Sequence, residues 1–136
     1  MEHKETPTYS NGRVCIIGDA AHATSPWQAA GAGLAFEDAA VLVSILGAVA
    51  SPHELNIALK TYDAARRPRC QRVIDSSRRV GNICCGQDPE IGLDACKMGK
   101  MLPEQWTFMM NLNIEDHIND ALQKFRMFLD KPLGAN

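Results

Sequence analysis

The sequence predicts a mostly helical chain, with one strand followed by four or five helices. Three observations carry this. The apolar run Val14, Cys15, Ile16, Ile17 stops abruptly at Gly18-Asp19. From Leu34 onward, apolar residues recur at helical spacing in successive segments. Between those segments fall helix-punctuating residues: Ser51-Pro52, Pro68, then Gly86, Pro89 and Gly92, and finally Pro132 and Gly134.

Residues 1–12 are polar, and Asn11-Gly12 is a strong turn signal. A strand is predicted over 13–17, and its unbroken apolar run implies burial on both faces. A helix follows from 31 to about 50. Leu34, Ala35, Ala39, Leu42, Val43 and Leu46 set its period and alanines fill most of the rest, so it reads as buried nearly all round. Glu37 and Asp38 fall in its first turns, where carboxylates suit the helix dipole and packing, with contact to a ligand or action as an acid as the alternative. The next helix opens with Ser51 as N-cap, Pro52 at the first helical position and Glu54 closing a capping box. Leu55, Ala58, Leu59, Tyr62 and Ala65 form its apolar face. Pro68 predicts a kink or a fresh start, with a third helix to about 80. Residues 81–92 break the pattern. Met98, Met101, Leu102, Trp106, Phe108, Met109 and Met110 then form a Met-rich segment that reads as core, with a substrate channel or a partner helix as the alternative. A last helix, about 115–129, carries the stripe Ile118, Ala121, Leu122, Phe125, Phe128, Leu129.

The chain is organised around the stretch between strand and first helix. It holds Gly18-Asp19-Ala20-Ala21-His22, then Pro26, then Gly31-Ala32-Gly33, then Glu37-Asp38-Ala39. Gly18 allows a turn where a side chain would clash. Asp19 stands at the strand end, where α/β folds place ligand-contacting groups. Pro26 stiffens the loop. Gly31 and Gly33 let bare backbone approach a flat or anionic ligand, and the amides at a helix start favour negative charge.

These residues resemble the second flavin-binding motif of the class A FAD-dependent aromatic monooxygenases, the family of salicylate hydroxylase and 4-hydroxybenzoate hydroxylase. A second segment, Tyr62 with Arg66-Arg67-Pro68-Arg69, resembles a mainly structural motif of the same family. The resemblance covers nearly the whole chain but only the C-terminal third of the family's fold. It implies an α/β fold class of the FAD-binding GR2 type, with residues 1–50 as the flavin-motif segment and 51–136 as a C-terminal helical region. It further implies that Asp19 hydrogen-bonds the FAD ribityl chain and that Pro26 lies beside the isoalloxazine. Gly31, Ala32 and Gly33 would stand near the flavin pyrimidine edge. His22 would be structural, holding the loop. Ala29 departs from the pattern, since many relatives carry glycine there.

Composition narrows the function further. The 136 residues carry a net charge of −2, so no global field favours nucleic acid. No apolar run reaches membrane-spanning length. Five cysteines, odd in number and without a Cys-x-x-Cys spacing, fit a reduced, cytoplasmic setting. Cys84, Cys85 and Cys96 match no usual zinc spacing, so no metal site is predicted. The arginines at 66, 67, 69, 72, 78 and 79 read as a solvated face, or as partners for carboxylates of the part of the family's fold that lies outside these residues, because no aromatic residues interleave to stack bases. His3, His53 and His117 have no evident partners, and Ser25, His22 and Asp19 lack a nucleophile elbow.

By resemblance, the function is NAD(P)H-dependent hydroxylation of an aromatic or phenolic substrate with FAD as cofactor. The Gly-x-Gly-x-x-Gly pyrophosphate cradle of the family is not among these residues. The expectation is a truncated chain, inactive alone, whose N-terminal flavoprotein part would be supplied in trans. The alternative is a non-catalytic helical module that binds a protein partner through the Met-rich segment and the last helix.

Overall fold

The computed structural model describes residues 5–130. β1 (Ser10–Asn11) and β2 (Val14–Cys15) pair antiparallel, Ser10 opposite Cys15 and Asn11 opposite Val14. The turn between them is the one Asn11-Gly12 predicts, with Gly12 at φ 60°. The predicted strand over 13–17 is shorter than its apolar run, and the burial expected on both faces is corrected. Val14 is 68% exposed and Ile17 44%. Among the described residues no third strand stands beside β2, so one edge and the outer face are open.

A short α1 (Asp19–His22) and a 3-10 turn (Pro26–Gln28) lead to α2 (Gly31–Gly47). A second 3-10 turn (Pro52–Glu54) precedes α3 (Leu55–Cys84), α4 (Ala95–Met110) and α5 (Ile114–Leu129). The core lies where α2, α3 and α5 meet. Leu34, Val41 and Ile45 come from α2, Ala58, Tyr62, Ala65, Cys70 and Val73 from α3, and Ala121 and Phe125 from α5. Tyr9, just ahead of β1, closes one end. Asp94 caps α4 by accepting the Cys96 and Lys97 amides at 2.9 and 3.1 Å. Asn113 caps α5 through the Glu115 amide at 3.0 Å and the Asp116 amide at 3.3 Å.

Four element-level expectations are corrected. Pro68 neither breaks nor restarts a helix: α3 runs unbroken through it. An internal proline costs about 3 kcal/mol, but here it sits on the exposed side while Ala65, Arg66, Cys70 and Val73 are buried on either side of it. Packing on both flanks holds the helix together. Ser51 makes no side-chain cap; Glu54 instead reaches back to the Ala50 amide at 2.9 Å. α2 is not buried all round, since Phe36, Val43 and Leu46 are exposed. The Met-rich segment is not core either. α4 contains no fully buried residue and leans on α3 with Phe108 and Met109 half-buried. The predicted stop at Pro132 and Gly134 lies outside the described residues.

Candidate functional site

The turn after β2 depends on Gly18. Its φ of 59° with ψ −142° is a conformation open essentially to glycine alone. Its carbonyl accepts the Ala21 and His22 amides, both at 2.9 Å, and so nucleates α1. Its own amide donates to Asp38 Oδ2 at 3.0 Å. The same Asp38 oxygen takes the ring Nε2 of His22. One fully buried carboxylate on α2 therefore grips both ends of α1, whose first residue is Asp19.

Asp38 is held in turn by Arg66 from α3, Nε to Oδ1 at 2.8 Å, both side chains fully buried. Arg66 also meets Glu37 Oε2 at 2.8 Å. It reaches His117 Nε2 on α5 at 3.0 Å. Burial alone would raise the Asp38 pKa; the hydrogen bonds from His22, Arg66 and the Gly18 amide outweigh it and hold the carboxyl below its usual range. Burial would lower the His22 pKa, and its bond to Asp38 outweighs that, pushing it up to about 10. His22 is thus an imidazolium at neutral pH. His117 goes the other way: burial and the Arg66 charge hold its pKa down, so a neutral ring accepts the guanidinium proton. Two buried cations, His22 and Arg66, face two carboxylates, Glu37 and Asp38.

The dipole role foreseen for Glu37 and Asp38 is corrected here, since neither lies in the first turn of α2. They serve as counter-ions for α1 and α3. The expectation that His117 lacks a partner is also corrected. Five of the six arginines meet carboxylates of this chain, which corrects the expectation of a solvated face or of partners outside it, and Arg72 instead stands over the Phe108 ring at 4.2 Å. Besides Arg66, Arg69 joins Glu37 at 3.1 Å, Arg67 joins Asp63 at 3.0 Å and Arg78 joins Asp75 at 3.4 Å. The ligand-type atoms of His22, Asp38 and Cys70 lie within 4.8 Å of one another. The Arg66 guanidinium and the His22 imidazolium already hold that carboxylate, so the cluster is an ion network and not a cation site. Cys84, Cys85 and Cys96 are free and exposed.

Asp19 and Gly31 come together. The position a Cβ would take on Gly31 lies 3.9 Å from Asp19 Oδ1 and 3.6 Å from Thr24 Cγ2. α2 starts there with no side-chain cap. Its first internal bond from this end is Leu34 N to Ala30 O at 3.0 Å, so the amides of Gly31, Ala32 and Gly33 have no acceptor among the described residues. Pro26, itself exposed, opens the 3-10 turn between them. That turn is tied down by Ser77, whose hydroxyl donates to the Ser25 carbonyl at 2.8 Å. The Gln28 amide donates to Gln105 O at 2.9 Å and Ser76 Oγ at 3.1 Å. Gly81 lies under Trp27, where a Cβ would overlap the indole. Gly33 lines an apolar recess of about 390 Å³ that Trp106, Met109 and Met110 of α4 close from the other side.

Ala29 adopts φ 51°, the one positive φ at a non-glycine among the described residues. Its departure from glycine therefore sits at a left-handed position, which strains an L side chain by roughly 1–2 kcal/mol. Ala29→Gly is expected to raise stability by about 0.5–1 kcal/mol in urea unfolding, net of the extra freedom glycine gives the unfolded chain. No gain would mean that the Cβ at 29 is relieved by packing.

Residues 1–77 match the family model described as an FAD binding domain. The chain belongs to this FAD binding domain family. An FAD-dependent monooxygenase of Gibberella moniliformis is 39% identical to it, matching 96% of this chain and 32% of the relative. The salicylate hydroxylase of Pseudomonas putida is 38% identical over 86% of this chain and 27% of its own length. A solved structure of a salicylate hydroxylase substrate complex superposes with a TM-score of 0.82 at 34% identity, over 86% of this chain and 29% of that one. The chain thus spans about a third of the length of the relatives it matches. The α/β flavoprotein fold to which the family belongs is represented here by its β2 turn and by helices. Among the described residues no helix is long and apolar enough to cross a membrane.

The site residues most visible in sequence, Asp19 and the Gly31 to Gly33 amides, are those whose polar groups have no partner among the described residues. Arg66, Cys70 and Tyr9, which pack around Asp38 and His22, and His117, which meets Arg66, are not legible as partners in the sequence. The one signal for Arg66 was its place in the Arg66-Arg67-Pro68-Arg69 segment, noted only as structural.

Proposed function

We propose that this chain supplies the ribityl- and pyrimidine-contacting half of an FAD site in an NAD(P)H-dependent monooxygenase that hydroxylates an aromatic, phenolic substrate. The observation that carries this reading is the uncapped start of α2 beside an Asp19 carboxylate that has no partner among the described residues. The donor set fits the group. An acceptor-only carboxylate suits the hydroxyls of a ribityl chain. Three free amides at a helix N-terminus suit a ring edge that gains negative charge on reduction. FAD, when bound, supplies the redox and oxygen chemistry.

The chain's own residues position and polarise. Asp19 accepts from the ribityl hydroxyls and fixes the cofactor along the turn. The Gly31 and Ala32 amides stabilise negative charge at the pyrimidine edge. Gly33, lacking a side chain, leaves room for close approach, and Pro26 shapes the wall beside the ring. Residues 1–50 carry these contacts and residues 51–136 brace them, through Arg66, Ser77 and Gln105. A reducing compartment, the cytoplasm, suits the free thiols. The pyrophosphate cradle would come from the N-terminal part of a family member.

The test is flavin titration by fluorescence, on the 136-residue chain alone and with the N-terminal portion of the Pseudomonas putida salicylate hydroxylase. Weak or no binding is expected alone, and saturable binding with the complement. Asp19→Ala should weaken that binding about 10- to 100-fold, the worth of a hydrogen bond to a charged group. No binding with the complement, or an indifferent Asp19→Ala, would overturn the reading.

A further inference from the structure

The Met-rich helix α4 has no fully buried residue, yet its apolar side does not simply face solvent. Trp106, Met109 and Met110 line the recess of about 390 Å³, to which α2 and α3 contribute Leu34 and Val73. Small-molecule sites of about 300–1,000 Å³ are apolar hollows with a few placed polar groups. Of the lining residues only Glu37 and Arg69 are charged, and they pair with each other at 3.1 Å. The recess therefore presents no unpaired charge and suits a neutral ligand. Gln28 also lines it and is 7% exposed. The Gln28 Nε2 donates to Gln105 O at 2.9 Å and to Ser76 Oγ at 3.1 Å. A carbonyl oxygen cannot donate to Gln105 O, so the nitrogen must take that end of the amide. Oε1 is left buried with no hydrogen-bond partner among the described residues. An unsatisfied buried acceptor costs about 1–3 kcal/mol, which a donor on a ligand relieves. The indole and the thioethers nearby favour an aromatic ring.

We propose that this recess between α2, α3 and α4 is a binding site for a neutral single-ring phenol, with the ring against Trp106 and Met109 and the hydroxyl donating to Gln28 Oε1. The recess asks for a planar apolar body, no net charge and one donor, and a phenol has all three. An aromatic ether of similar size lacks the donor. A benzoate brings a charge for which Arg69, already paired with Glu37, is not free. The recess shares Gly33 with the flavin segment, so a phenol held there stands beside the proposed cofactor contacts. That this phenol is the monooxygenase's substrate rests on the flavin-site reading; that the chain binds a phenol here does not.

The experiment titrates the 136-residue chain, labelled at its methionine methyls, with phenol and separately with anisole, and follows the methyl resonances by NMR. Phenol should shift Met109 and Met110 saturably and leave Met127, exposed on α5, in place. Anisole should bind at least about fivefold more weakly, the worth of one hydrogen bond. Gln28→Met should bring phenol down to the anisole level and leave anisole unchanged. Gln28→Glu keeps the acceptor and should keep the preference for phenol. Trp106→Ala, outside the core, should weaken both ligands about tenfold. Circular dichroism checks that each variant keeps its helicity. Asp19→Ala should change neither affinity, and an Asp19→Ala that proves indifferent in the flavin titration overturns the cofactor reading while this site stands. No shift at Met109 and Met110, equal affinities for phenol and anisole, or a phenol preference that survives Gln28→Met would each overturn the assignment.

Discussion

Asp38→Asn is expected to cost about 3–5 kcal/mol of folding free energy, the size seen when one partner of a buried ion network is removed. Asp38 is fully buried and holds Arg66, His22 and the Gly18 amide at once. The substitution leaves two buried cations facing Glu37 alone. A domain of this size is stable by only about 5–15 kcal/mol, so the loss should be plain in the urea midpoint followed by circular dichroism. Coupling gives a sharper check. In a double-mutant cycle, Asp38→Asn and His22→Asn should be strongly non-additive, because the second substitution removes one of the stranded cations. Additive losses, or a cost for Asp38→Asn below about 1 kcal/mol, would mean that the network is not what holds α1 to α2. The link to function is geometric. Gly18 and His22 bracket α1, so loosening Asp38 also frees the residue proposed to meet the ribityl chain.

The legible part of this molecule is the part written in local chemistry. Gly18 and Gly31 mark backbone events within a few residues of themselves, and the turn and the start of α2 fall where they say, while Pro26, read only as stiffening a loop, opens a 3-10 turn. The last helix is equally plain, because Ile118, Ala121, Leu122 and Phe125 sit on one stripe opposite charged residues. Periodicity states which residues share a face, but not whether that face finds cover. Phe36 and Val43 lie in the same apolar pattern as Leu34 and Val41, yet one set is exposed and the other buried. The Met-rich helix fails for the same reason. The ion network is invisible in sequence because its bonds are long-range: Arg66 meets a carboxylate 28 residues earlier and a histidine 51 residues later. Pro68 misleads because its local cost is real but is outweighed by packing on both sides of it.

The network also dictates how stability responds to pH. His22 has a folded pKa raised to about 10 from an ordinary 6.5. Its contribution is fully present below pH 6.5 and is lost as pH rises towards 10, at up to about 1.4 kcal/mol per pH unit. Asp38 has a folded pKa below its ordinary value, so its contribution is present above about pH 4 and is lost only in acid. His117, also lowered, is neutral in the fold, so its contribution is lost as pH falls below 6.5. Burial raises Cys15, Tyr9 and Tyr62, which adds losses only near and above the ordinary thiol and phenol pKa values of 9.0 and 10.0. Between pH 6.5 and 8.5, therefore, His22 alone of these groups sets the slope. Denaturant unfolding across that window should show stability falling with pH. His22→Asn, whose amide still donates to Asp38 but carries no proton to lose, should flatten the slope while lowering stability at pH 6.5. An unchanged slope in His22→Asn would show that the ring is neutral in the fold and that Arg66 alone balances the Asp38 charge.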